Sequence, residues 1–360
     1  MLTVYGLKVS YFTGKLEAYL RYKEIPYAFH TLTGKEFTEM LPEKTGALQM
    51  PAVQLDDGRW MTDTTPMIDW FETQHPAPSI LPDDPVQAFV CKLIEDYADE
   101  WQWRPAMHYR WSYRESSKLL ARQISEAMGR DLNIPNWIVR HRVENRQRKY
   151  FVEKDGVSKQ TWDHVEQAYH RLLGFLREVL KHRPFVFGDR PTLADIGLMG
   201  PLFRHYAMDP KPGIIMREEW PEVMEWVYRV WNAKASQTNG DLVSGVPEDM
   251  AVFLREIAET HLEALCANAE AHAAGKKLHH PLIQGVQYRD VPVSQYRVWC
   301  LERLQAQRVA ITQNARETLD DVLQEHGALE PLTRLKALKS GYQREENAPF
   351  GPSLAVFEHL

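Results

Sequence analysis

Arg183-Pro184-Phe185-Val186-Phe187-Gly188-Asp189-Arg190-Pro191-Thr192-Leu193-Ala194-Asp195-Ile196 contains a helix start that can be read residue by residue. Thr192 and Asp195 stand at capping-box spacing. The Thr hydroxyl accepts from the third amide of the helix, and the Asp carboxylate returns to the cap N–H. A helix over Thr192–Tyr206 follows, and Pro221 at a first helical turn opens another to Ala233. Helical periodicity also marks Val86 to about Tyr113, Glu115–Met128 and Gln160–Lys181, with a mixed insertion at 133–159. Ahead of these helices the pattern differs. Leu2–Gly6 alternates as a strand, a helix runs from about Thr13 to Lys23, and Tyr27–Leu32 is a second strand. A short helix over Lys35–Lys44 follows. Pro51 then opens a third strand, Asp56-Asp57-Gly58 turns it back through Arg59–Thr62, and Pro66 lies in the first turn of a helix over Thr65–Gln74. The order βαβ–ββα in so few residues predicts a small sheet covered by helices on both faces. The proline-rich segment from His75 to Pro85 separates it from the helical part.

Three stretches resemble the glutathione transferase family. They are Gln49-Met50-Pro51-Ala52-Val53 with Asp63-Thr64-Thr65-Pro66-Met67-Ile68, the 183–196 segment, and Glu219-Trp220-Pro221-Glu222-Val223-Met224-Glu225-Trp226. Together they span roughly residues 1–235. The resemblance implies an α/β plus all-α chain. A thioredoxin-like domain would occupy 1–78, an all-helical transferase domain 86–235, and a mainly helical extension of unassigned role 236–360. It also implies a cis Met50–Pro51 bond, glutathione as cosubstrate, a hydrophobic electrophile as second substrate, a role of the detoxification type, and a homodimer.

The chemistry needs glutathione's thiol as thiolate, because the thiolate is the nucleophile. A hydroxyl donor at the start of the first helix would stabilise it, helped by the helix's positive end. By family spacing that residue is Ser10, and by local identity it is Tyr11; both stay open, with Thr13 a third hydroxyl in reach. Met50 and Pro51 would hold the tripeptide in extended form. Asp63, Thr64 and Thr65 would receive its γ-glutamyl end, and Lys35 either faces its glycyl carboxylate or is a solvated surface lysine. Thr64 departs from the family, which places Glu or Gln there, and a decayed, non-catalytic binding or assembly protein is the competing expectation. Trp103, Met107 and Trp111, at i, i+4 and i+8, share a face that either packs the helical domain's core or lines the acceptor pocket, and Arg104 and Arg110 either orient an anionic group or are solvated.

A 44% hydrophobic and 26% charged chain of 360 residues is that of a folded multidomain protein. A formal charge of −6 gives no reason to expect nucleic acid, and the basic run Arg140–Lys149, broken by Glu144, reads as a solvated helix face. Cys91, Cys266 and Cys300 lack metal or disulfide spacing, and His279-His280 cannot face one way on a strand, so no metal is expected. The lack of a long apolar run predicts no membrane span, and the opening MLTVYGLKVSYF no secretory signal; the expected location is cytoplasmic.

Overall fold

The structure is a computed structural model that describes residues 1–342 and 347–353. Its first unit is a four-stranded sheet of order β2-β1-β3-β4: β1 Leu2–Gly6, β2 Tyr27–Thr31, β3 Ala52–Gln54 and β4 Trp60–Thr62. β1 pairs parallel with β2 (Val4 opposite Phe29) and antiparallel with β3 (Val4 opposite Val53), and β3 pairs with β4 through Val53 and Met61. Alternation along β3 divides the two faces. Val53 enters the main core with α1 (Tyr11–Tyr22) and α3 (Thr64–Gln74), while Ala52 joins a smaller cluster with Leu7, Leu32 and Leu41 under α2 (Leu41–Thr45). The thioredoxin-like arrangement expected from the strand and helix order is present.

The helical unit comprises α4 Pro85–Glu100, α5 Trp103–Trp111, α6 Arg114–Met128, α7 Asn136–Arg148, α8 Trp162–Leu180, α9 Leu193–Pro201, α10 Pro210–Glu219 and α11 Pro221–Asn232. Every residue of α9 is buried. Two of its glycines permit close approach. A Cβ on Gly197 would lie 2.8 Å from the Glu95 backbone, and one on Gly200 2.6 Å from the Tyr11 ring. The capping box at its start is formed, and the Asp195 carboxylate also accepts from Val186 N–H at 2.9 Å and from the Trp226 indole at 3.3 Å.

Three expectations are corrected here. The helix expected over Val86 to Tyr113 is two helices. Pro105 has no N–H for the Trp101 carbonyl, which accepts from Arg104 N–H instead, and buried Gln102 turns its side chain to Tyr97 and Tyr206. α10 was not anticipated. Residues 280–293, whose sequence alone suggests one small hairpin, instead belong to two nested two-residue pairs, β5 (Leu278–His279) with β8 (Val291–Pro292) and β6 (Leu282–Ile283) with β7 (Val286–Gln287).

Beyond Ala235 the chain continues as α12 Ala251–Ile257, α13 Glu263–Ala273, α14 Gln295–Ala310, α15 Gln313–Glu325 and α16 Leu329–Thr333. α14 and α15 pack on α4. The segment 347–353 returns to the first unit: Phe350 bridges Met61 on the outer strand β4, and Ser353 N–H donates to Thr45. The segment Tyr342–Ser353, whose Pro and Gly predict an irregular tail, lies partly outside the described residues.

One charged cluster ties α1, α3 and α4 together. Lys15 is completely buried; its ammonium contacts Glu95 at 2.6 Å, Asp99 and the Thr65 hydroxyl, which itself donates to Glu95 at 2.7 Å. Burial favours the neutral amine, but Asp99 and Glu95 more than offset it and hold Lys15 above the usual lysine range. Removing one member of such a cluster strands the others. Lys15→Met is therefore expected to lower stability by about 3–5 kcal/mol in urea unfolding at pH 7. Asp195→Ala, which orphans a cap amide and Val186 N–H, should cost about 3 kcal/mol in the same assay. A loss below about 1 kcal/mol in either variant would contradict the role given to that residue.

Candidate functional site

A cavity of about 370 Å³ opens where β1 hands the chain to α1 and where β3 begins, facing α5 and α7. Ser10 is the N-cap of α1. Its oxygen accepts from Thr13 N–H at 3.4 Å, and its own proton has no acceptor among the described residues. Tyr11, the next residue, also borders the cavity but points its hydroxyl away, donating to the Ala98 carbonyl of α4 at 2.6 Å. Burial, with Tyr206 and Asp99 beside it, pushes this phenol well above its ordinary value, so it is a neutral packing anchor. Across the cavity the Met50–Pro51 peptide is cis, and no hydrogen bond uses the Met50 N–H or C=O among the described residues.

At the start of α3 the wall is acidic. Asp63 adopts φ 73°, uncommon for a residue with a side chain, and is followed by buried Thr64. Asp99 and Glu100, from the last turn of α4, line the same region. Burial raises the Asp99 carboxyl well above the usual range; Lys15 opposes this, while Glu95 and Glu100 add to it. Its Oδ1 is buried with no hydrogen-bond partner. The extension completes this wall; Tyr296, a residue the sequence offers as packing over the helical domain or capping the pocket, lines it. The Tyr296 hydroxyl donates to Asp63 at 3.2 Å, and Arg297 pairs with Glu100 at 3.0 Å and with Asp155 at 2.8 Å.

The opposite wall is apolar and aromatic. Trp103, Met107 and Trp111 of α5 all line it, joined by Val143 from α7 and by Phe151 just beyond that helix. Phe12 stacks on Trp103 with centroids 5.5 Å apart, and Phe151 meets Trp103 edge-on at 5.3 Å. Arg104 and Arg110, expected to orient an anion, face carboxylates of their own chain. Arg104 binds Asp155 at 3.1 Å, and Arg110 grips Asp209 with two bonds while donating to the Val9 carbonyl at 2.7 Å. From the basic run, set aside as a solvated face, Arg146 enters the cavity wall.

Besides Arg104, three of the anticipated residues do not line the cavity. Thr13 is buried against Gly6, Lys35 is exposed with its backbone N–H on Asp131, and Thr65 belongs to the Lys15 cluster. Ser10, Tyr11, Met50, Pro51, Asp63, Thr64, Trp103, Met107 and Trp111 are brought together around it. Among the described residues no group of three or more His, Cys, Asp or Glu could hold a metal ion, and no helix is long and apolar enough to cross a membrane.

Comparison with known proteins gives two family matches. Residues 4–79 match the glutathione S-transferase N-terminal domain, and residues 146–233 match the glutathione S-transferase C-terminal domain. No curated protein matches the chain by sequence. Similar solved structures include a glutathione S-transferase from Methylobacterium radiotolerans in complex with glutathione sulfonate (16% identity, 68% of this chain and 98% of that one, TM-score 0.41). Another is a glutathione S-transferase from Rhodospirillum rubrum F11 (18% identity, 69% and 96%, TM-score 0.44). A third is the β-etherase LigF from Sphingobium sp. strain SYK-6 (18% identity, 66% and 97%, TM-score 0.46). With both family domains present in order, this chain belongs to the glutathione S-transferase family and carries a helical extension beyond them.

Proposed function

We propose that the protein is a glutathione-dependent enzyme in which the thiolate of glutathione attacks a hydrophobic electrophile. The observation that carries this reading is one cavity that joins three unlike surfaces. A hydroxyl with an uncommitted proton, Ser10, sits at a helix N-terminus, an unused peptide edge lies at Met50, and an apolar wall stands opposite at Trp103, Met107 and Trp111. Bound along Met50–Pro51, a tripeptide would direct its sulfur toward Ser10. The hydroxyl would donate to the sulfur as the thiol proton leaves, and the helix end favours the anion. The geometry favours Ser10 over Tyr11, whose hydroxyl is engaged by Ala98. The γ-glutamyl ammonium would face Asp63, and its carboxylate the amides at the start of α3 beside Thr64. Sulfur–carbon bond formation would then displace the acceptor's leaving group, whether the outcome is conjugation, ether cleavage or dehalogenation, or would be followed by return of the thiol in an isomerisation. A cytoplasmic homodimer acting in detoxification fits the family but rests on the resemblance alone.

Two observations favour a second reading, a binding or assembly protein with a decayed glutathione site. Tyr296 already engages Asp63, and Thr65 is turned to Glu95. Thermal unfolding with glutathione separates the two. At a hundred times its dissociation constant a ligand stabilises the fold by about 2.7 kcal/mol, so the enzyme reading expects a melting temperature raised by several degrees. No shift at millimolar glutathione would leave the binding-protein reading. Given a shift, Ser10→Ala should keep it while conjugation of an activated chloronitrobenzene falls roughly a hundredfold. Tyr11→Phe should stay within a few-fold of the parent rate and lose about 1 kcal/mol of stability. Undiminished turnover in Ser10→Ala would remove Ser10 from the chemistry.

A further inference from the structure

The charged side chains around the cavity are not equivalent. Asp99 faces Lys15, Glu100 faces Arg297, Arg110 faces Asp209, and Asp63 accepts from Tyr296. Arg146 alone differs. Among the described residues it makes no ion pair and no side-chain hydrogen bond, although it is half-buried at the cavity wall. The acid nearest in sequence on its own helix, Glu144, is taken by Arg148 at 3.1 Å. A guanidinium carries five N–H donors and no acceptor, and withdrawing it from water without a partner is costly. Burial already lowers its pKa from the ordinary arginine value. Its position on α7 explains why it is there. Val139, Val143 and Arg146 recur at i, i+4 and i+7, so Arg146 falls on the one apolar stripe of an otherwise basic helix.

A continuous aromatic surface leads to it. Starting beside Ser10, Tyr11 meets Phe12 at 4.9 Å, Phe12 stacks on Trp103, Trp103 meets Phe151, and the Arg146 guanidinium lies 5.8 Å from the Phe151 ring centroid. We infer that Arg146 selects the acceptor, and that the acceptor is a flat aromatic molecule carrying an anionic group, its ring on Trp103 and Phe151 and its charge on Arg146. This rests on the glutathione-dependent reading for what reacts, but not for what binds.

The test compares two matched probes, naphthalene-2-carboxylate and naphthalene-2-carboxamide, titrated into the full-length protein with tryptophan fluorescence as readout. Glutathione is titrated separately by calorimetry. The carboxylate is expected to bind at least about tenfold more tightly than the carboxamide, the range of a charge-assisted pair. Arg146→Leu should erase that preference by weakening the carboxylate while leaving the carboxamide unchanged and the melting temperature no lower than the parent's. Arg146→Lys should retain part of it. Equal binding of the probes to the parent protein, or an undiminished preference in Arg146→Leu, would overturn the inference. So would a loss in Arg146→Leu that falls on glutathione instead of on the naphthoate, since Arg146 would then serve the tripeptide. A naphthoate preference that depends on Arg146 in a protein that takes up no glutathione would uphold the anion site and remove the transferase reading.

Discussion

A lysine sealed from water must be met by anions, and that requirement on Lys15 organises the molecule. Its position on α1 forces Glu95 and Asp99 of α4 and the first turn of α3 to converge on one point. The junction between the sheet and the helical unit is thereby fixed in register as well as in separation. The same convergence shapes the cavity. One oxygen of Asp99 is claimed by Lys15 and the other is left bare, while Thr65 is drawn off to Glu95. Recognition at the start of α3 thus falls to Asp63 and Thr64. A small polar group placed for cohesion decides which neighbouring groups remain for a ligand.

The parts of this fold that could be read in the sequence are those set by near neighbours. The capping box closes within four residues, the turn at Asp56-Asp57-Gly58 within three, and the proline before β3 marks its strand locally. What escaped depends on partners far along the chain. The choice between Ser10 and Tyr11 turns on the Ala98 carbonyl, 87 residues away from Tyr11. Arg104 and Arg110 looked like anion holders because nothing local announced Asp155 or Asp209. Arg146 was the reverse case. It was hidden inside a run of charges, although the spacing of Val139 and Val143 already placed it on the apolar stripe of α7. The break between α4 and α5 was legible in principle from Pro105, but the aromatic periodicity across it was the stronger pattern.

The extension changes what kind of object the site is. In the first two units alone, the acidic wall beside Asp63 would be open and α4 would present an uncovered face. α14 fills that place with Tyr296 and Arg297, and α15 covers the rest of α4. Phe350 then pairs with the outer strand β4, whose free edge would otherwise be a template for pairing with another chain.

This ordering has a consequence for how the protein comes into being. Ser10 and Arg297 border the same cavity, so the pocket's boundary is written by residues far apart along the chain. A nascent chain that has just released α11 holds the elements of the sheet and of the helical unit but none of the extension's contribution to the wall. Until α14 arrives, Glu100 lacks its arginine. Recognition at this site is accordingly a late event of synthesis, acquired only after the parts that define the family have left the ribosome.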